Sequence, residues 1–334
     1  MPTGTKSDFV IYDPRIRGGY VETLVENTDA FNAISNGTIK FSTNQQAGDF
    51  DYNAMFKNIG DTVTRRDTAS LAAVADKKLT QDEFIGVKIN RKIGPIAQTL
   101  DGFRKAGESF NEDTFHYSVG QNVAKDAAKD YLTTALRGTR AMLVTKASNL
   151  QDITGDTVKT LKSKDLINAL AKYGDASDRI LAWVMHSTAF FELVGDQYDF
   201  KLTGISNLII ATGSPLTINR PVLVVDNDAL KDVDGGGVGL DHYFSMGLTA
   251  GAVEIEDSES EIIKTEVQLG LENIVMRLQG EFAYNMRVKG CKWDVTNGGE
   301  NPDDTAIATG TNWDSVLASH KDFAGVVIQS QTAS

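Results

Sequence analysis

Between Ser109 and Arg137 an apolar or small residue returns at every fourth position: Phe115, Val119, Val123, Ala127, Tyr131 and Ala135. Ala124, Ala128, Leu132 and Leu136 widen the stripe. That period belongs to one face of an α-helix. Ser109 is placed to cap it, and Glu112 stands at the third position to complete a capping box. Such a helix would run roughly 42 Å at 1.5 Å per residue, beyond the ordinary length in globular proteins, so it spans a whole domain. Its alanines allow close approach of a sheet or another helix. Gly138 is expected to interrupt it, with Arg140–Thr145 resuming.

Upstream, the pattern changes to a period of two. Ile85, Val87, Ile89 and Ile93 alternate with Lys88 and Lys92, which reads as a strand, and FDYNAMFKNI at 50–59 could be its antiparallel partner. Arg65, Arg66, Asp67, Lys77, Lys78, Asp82 and Glu83 fall between the two. A long two-stranded ribbon is marginal alone and leaves open edges. Two readings are open: a ribbon covered by a neighbouring chain, or a hairpin folded back on its own domain. Residues 1–49, broken by Gly18, Gly19, Gly37 and Gly48, read as an extended arm or as an ordinary segment lying over a core.

Downstream, Asp165–Tyr173 reads as a helix stopped by Gly174, Ile180–Met185 as a buried strand, and Ser187–Val194 as a helix closed by Gly195. From Ile205 onward strands dominate: ISNLIIAT, then PVLVVDN with Pro221 at its start. Ala252–Glu256 and Ile262–Leu269 flank an acidic run (Asp257, Glu259, Glu261) that fits a solvated turn. Phe282, Tyr284, Met286 and Val288 alternate with Ala283, Asn285 and Arg287 as a strand does, and Phe323–Gln329 reads as a final strand.

The chain has 334 residues, more than one core usually holds, so two or more lobes are expected. Its net charge of −12 argues against a broad nucleic-acid-gripping surface. The basic pairs at 65–66 and 77–78, and Lys88, Arg91 and Lys92, suit acidic surfaces on a partner chain better than DNA. A single cysteine, Cys291, excludes an internal disulfide framework. No basic-then-apolar run opens the sequence and no apolar stretch reaches 18 residues, so neither a signal peptide nor a membrane helix is expected.

Catalytic signatures are missing. His116, His186, His242 and His320 show no ligand spacing. The aspartates from Asp226 to Asp241 fail the calcium-loop pattern: counted from Asp232, position 12 is Tyr243. Gly235, Gly236, Gly237 and Gly239 have the wrong spacing for a dinucleotide fingerprint, and neither a P-loop nor a nucleophile elbow occurs. No catalytic residue, metal site or cofactor is expected. A soluble α/β enzyme, which would need a convergent polar pocket, remains the rival from another class.

Taken together, TVTRRDTASLAAV at 62–74, GVKINRKIGPI at 86–96, the helix onset GESFNEDTF at 107–115, and the tail strings QGEFAYNMRVKGCKWDV and ATGTNWDSV resemble the major capsid proteins of tailed bacteriophages, whose shared fold is named after phage HK97. The resemblance covers most of the chain and rests on the order and spacing of these strings. It implies an α+β fold in five parts: an N-terminal arm at 1–49, an extended β-ribbon loop at 50–97, a peripheral domain with a long spine helix at 98–204, an axial domain at 205–272, and return strands at 273–334 that complete the peripheral domain.

The function so implied is a non-enzymatic icosahedral shell of pentamers and hexamers that encloses double-stranded DNA without sequence specificity. A separate scaffolding protein, a portal and room for a decoration protein go with it, as do assembly in the host cytoplasm and residence in the virion capsid. Encapsulins share the fold and enclose cargo enzymes, and are the near alternative. Candidate subunit-interface residues are Arg65, Arg66, Lys77 and Lys78 on the ribbon, and Phe9, Val10, Ile11, Phe31 and Ile34 on the arm.

Overall fold

No proline stands between Pro95 and Pro215, and this stretch holds one uninterrupted helix of 34 residues, α1 (Glu112–Thr145). The structure, a computed structural model, describes residues 37–43, 48–56, 62–99, 101–102, 105, 112–198, 217–269 and 272–333. Ser109, the expected cap, and the strand expected over ISNLIIAT lie outside them. The expected stripe is the buried face: Val123, Ala124, Ala127, Tyr131, Ala135 and Leu136 all lie in the core. Gly138 does not interrupt the helix. A Cβ there would stand 2.2 Å from Met286 Cε and 3.2 Å from Trp313 Cζ2, so glycine serves a close approach rather than a break.

The face of α1 lies against a five-stranded sheet ordered β1 (Ile39–Thr43), β9 (Val253–Gln268), β10 (Val275–Val288), β3 (Gln81–Thr99), β2 (Phe50–Phe56). Tyr131 is the pivot of this packing. Its ring centroid is 4.7 Å from that of Tyr284, 5.8 Å from Phe282 and 6.2 Å from Phe41, so helix, central strand and edge strand meet on one residue. β1 runs parallel to β9, from Ile39 opposite Val253 to Thr43 opposite Asp257.

The acidic run does not form a turn. Asp257, Glu259 and Glu261 lie inside the unbroken strand β9, which pairs antiparallel with β10 along its length. Cross-strand cations explain this. Arg287 bonds Asp51 Oδ2 at 3.1 Å and also pairs with Glu256, while Lys88 Nζ reaches Glu259 Oε1 at 2.8 Å. Opposite charges on other strands thus offset part of this acidic strand: Glu256 through Arg287 of the adjacent β10, and Glu259 through Lys88 of β3 beyond it.

The second sheet is ordered β4 (Leu150–Asp152), β13 (Gly325–Ala333), β8 (Leu240–Thr249), β5 (Ile180–Met185), β6 (Val222–Val224), with β7 (Lys231–Asp232) also on β8, while β11 (Cys291–Trp293) and β12 (Trp313–Ser315) pair separately. Two helices accompany it, α2 (Ser163–Ala171) and α3 (Ser187–Tyr198). α3 runs past Gly195, contrary to expectation. An added Cβ at Gly195 would meet nothing within 4 Å, so this glycine is a tolerated open position with no role in ending the helix. A second apolar cluster gathers here around Leu166, Leu170, Tyr173, Trp183 and Ile328.

Each sheet draws strands from several stretches of the chain. β9, from the stretch assigned to the axial domain, belongs to the sheet under α1. β4 and β5, from 98–204, share the other sheet with β8 and with the tail strand β13.

Candidate subunit-interface surface

β2 and β3 form the expected antiparallel arms, in register from Phe50 opposite Val87 to Phe56 opposite Gln81. Every residue from 62 to 80, between them, is exposed and outside regular structure. Short side-chain turns shape the segment: Asp67 Oδ1 accepts from Ala69 N at 2.9 Å, and Ser70 Oγ accepts from Ala72 N at 3.2 Å. Arg65, Arg66, Lys77 and Lys78 all sit on this tip and are exposed. Val63, Leu71 and Val74 sit among them at 92%, 104% and 89% exposure. The sequence reading does not single out these apolar residues, although TASLAAVA within the charged segment carries the signal. Phe9, Val10, Ile11, Phe31 and Ile34 lie outside the described residues.

The root of the ribbon is held by its own chain. Arg91 on β3 places Nε 2.9 Å from Asp130 Oδ2 of α1 and Nη2 2.7 Å from Asp304 Oδ1. Asp304 opens a short helix, α4 (Asp304–Ala308), and its other oxygen takes Arg137 Nη1 at 2.6 Å. Tyr284 OH donates to Asp130 at 2.8 Å. Burial pushes the Asp304 carboxyl up, but the guanidinium groups of Arg91 and Arg137 outweigh it and hold its pKa below the usual carboxylate range. Farther up the ribbon, Lys292 reaches Asp82 at 3.3 Å. Lys88 and Arg91, expected to face a partner chain, are therefore engaged within this one: Lys88 is 2% exposed and bound to Glu259. Of that trio only Lys92 stays exposed.

Groups that could suggest chemistry have structural roles. Asp241 is buried, with Oδ2 2.6 Å from Lys231 Nζ and Oδ1 accepting from Asp234 N at 3.0 Å. Asp234 in turn accepts from Gly239 N at 2.7 Å, so these aspartates order a tight glycine-rich hairpin. Burial lowers the pKa of His186, with Asp226 3.8 Å away. Burial pushes the Cys291 thiol up to about 12, which leaves little nucleophilic thiolate at neutral pH. Among the described residues no group of three or more His, Cys, Asp or Glu side chains is placed to hold a metal ion, and no helix is long and apolar enough to cross a membrane.

A family model for major capsid protein 13-like proteins matches residues 8–327. No match was found among curated proteins. Among solved structures, one from Microbacterium phage Oxtober96 is 10% identical with a TM-score of 0.52, covering 86% of this chain and 88% of that one. The capsid of Ralstonia phage GP4 is 10% identical with a TM-score of 0.52, covering 90% of this chain and 88% of that one. At these identities the likeness to solved structures speaks for the fold alone.

Proposed function

Because this chain belongs to the major capsid protein 13-like family, we propose that its shell encloses double-stranded DNA and that its ribbon tip is an inter-subunit contact. The chain is a shell-forming major capsid protein with the α+β HK97-like capsid fold. The family match favours this reading over a cargo-enclosing encapsulin.

The observation that carries the contact is the tip itself. Nineteen consecutive residues, 62–80, stand exposed beyond a hairpin whose root is bound by Arg91 and Lys88. Apolar side chains as exposed as Leu71 and Val74 mark a surface that another molecule covers. The arm at 1–49 adds a second contact, with Phe9, Val10, Ile11, Phe31 and Ile34 facing an adjacent copy. Pentamers and hexamers close the shell, and the net charge of −12 suits a wall that holds DNA without gripping it. A separate scaffolding protein guides assembly in the host cytoplasm, and a portal occupies one vertex of the virion.

Negative-stain imaging of purified protein, with and without co-expressed scaffold, tests this reading. Closed shells or symmetric rings are expected. A strictly monomeric species under both conditions would overturn it. Weak, salt-sensitive DNA binding by unassembled subunit is expected in a mobility-shift assay, and tight sequence-selective binding would sink the container account.

A further inference from the structure

β5 and β6 run parallel, in register from Trp183 opposite Val222 to Met185 opposite Val224. His186 and Asp226, which follow the two strands, therefore emerge side by side at the start of α3. His186 meets that helix twice: its carbonyl accepts from Phe190 N at 3.0 Å, and its ring Nδ1 accepts from Thr188 N at 3.2 Å. Asp226 accepts from the hydroxyl and the backbone N–H of Ser187. Side chains thus satisfy two of the N–H groups that a helix leaves open at its start.

We propose that His186 is a proton-operated latch on α3: neutral, it caps the helix through Nδ1; protonated, its ring turns to Asp226 and releases the first turn. A ring nitrogen that accepts a hydrogen bond carries no proton, so the neutral form holds its proton on Nε2. Nε2 stands 3.8 Å from Asp226 Oδ1, too far for a hydrogen bond but close enough to attract a charged ring. A second proton would sit on Nδ1, donor against donor with Thr188 N–H. It would also place positive charge at the positive end of the helix dipole.

The surroundings set the direction. Burial of the ring, which lies 5.1 Å from the Tyr243 ring of β8, opposes the charge most strongly. Lys231 of β7 opposes it too, although its ammonium is held by Asp241 at 2.6 Å. Asp226 and Asp228 favour it and do not prevail, so the imidazole stays below the ordinary histidine range. The opened corner binds the proton more tightly than the closed one. The latch is therefore shut above the ordinary histidine range and lost as pH falls through the folded value. A serine or asparagine cap would hold the same N–H without titrating.

Release at His186 reaches beyond α3. Glu192 Oε2 accepts from Leu161 N at 3.4 Å, and Asp196 takes Lys162 Nζ at 2.8 Å, so α3 steadies the approach to α2. The two helices that cover the second sheet are coupled to one imidazole.

Nitrogen-detected NMR of unassembled subunit labelled with 15N-histidine tests the first half, with the His186 signal identified by its loss in His186→Asn. The Nε2–H tautomer is expected near neutral pH, titrating below the ordinary value of about 6.5. The Nδ1–H tautomer, or a ring charged at neutral pH, would overturn the latch.

Hydrogen exchange, corrected for intrinsic rates, tests the second half. Protection of peptides covering 187–193 should fall about five- to tenfold between about pH 7.5 and about pH 5, the size of a lost cap. His186→Asn, which caps but does not titrate, should keep its protection at both. Asp226→Asn should move the loss to lower pH, because it withdraws the charge that draws the ring. Protection independent of pH in the wild type, an equal loss in His186→Asn, or loss in α1 at the same pH as in α3 would overturn a local latch. An unmoved midpoint in Asp226→Asn would overturn the turn toward Asp226.

Discussion

Trp293 and Trp313 face each other across a short strand pair and meet edge to face, with ring centroids 4.9 Å apart and planes at 73°. Both are essentially fully buried, and each indole N–H finds a carbonyl: Trp293 that of Gly299 and Trp313 that of Ile307, both at 3.0 Å. Trp313→Ala should cost about 3–5 kcal/mol, through lost burial and the cavity left behind. Denaturant unfolding of the unassembled subunit measures it. Trp313→Phe should cost less, since it retains part of the ring packing and gives up only the N–H bond and some volume.

Gly138→Ala sets two effects in opposition. Alanine favours helix by about 1 kcal/mol, but its Cβ would collide with Met286 and crowd Trp313. Crowding should win, for a net loss of about 1–2 kcal/mol. In a Met286→Ala background the same change should become neutral or stabilising. A double-mutant cycle by thermal unfolding reads the coupling.

Arg91→Gln removes the cation shared by Asp130 and Asp304. A loss of about 2 kcal/mol is expected, less than for a fully buried pair because the site is partly open to solvent. Arg91→Lys should recover only part, since an ammonium cannot span both carboxylates as the guanidinium fork does. The depressed pKa of Asp304 contributes stability that is present above the ordinary carboxylate range and lost as pH falls through its folded value. Arg91→Gln should therefore flatten the acid side of the stability profile.

Asp257 has the opposite sign. Burial, with Glu261 adding to it, raises its pKa to about 6. The folded form binds this proton more tightly than the unfolded chain does, so stability falls as pH rises from about 4 to about 6, and the penalty is complete above that. Asp257→Asn should stabilise the unassembled subunit at pH 7.5 by on the order of 1–2 kcal/mol and make little difference near pH 4. A melting series across pH checks both ends.

Arg65→Glu combined with Arg66→Glu should abolish or sharply reduce shell formation. The melting of the isolated subunit should stay within about 0.5 kcal/mol of wild type, since both side chains are exposed. Sedimentation reads the first outcome and thermal unfolding the second. Unchanged particle yield would mean that these arginines are only solvated surface.

Local structure was legible in the sequence where one face repeats. The four-residue period at Val123, Ala127, Tyr131 and Ala135 gave the helix, and the alternation around Tyr284 and Met286 gave the central strand. Gly138 misled because a helix interior tolerates glycine where a neighbour comes close, and nothing local distinguishes that from a break. Asp257, Glu259 and Glu261 read as a turn because the residues that neutralise this strand, Lys88 and Arg287, lie on other strands. For the same reason Lys88 and Arg91 looked free for a partner. The tip at 62–80 could be read from its charges, but its exposed Leu71 and Val74 mean something only once the chain is seen to leave them uncovered.

β13 lies between β4 and β8, in the interior of the six-stranded sheet, although it comes last of these strands along the chain. A ribosome therefore makes β4, β5, β6 and β8 first and leaves a gap between β4 and β8 until residues 325–333 emerge. Until then the sheet is unfinished and leaves an edge of β8 unpaired, the kind of transient edge that favours misassembly. The order of synthesis thus makes residues 325–333 the segment that closes this sheet.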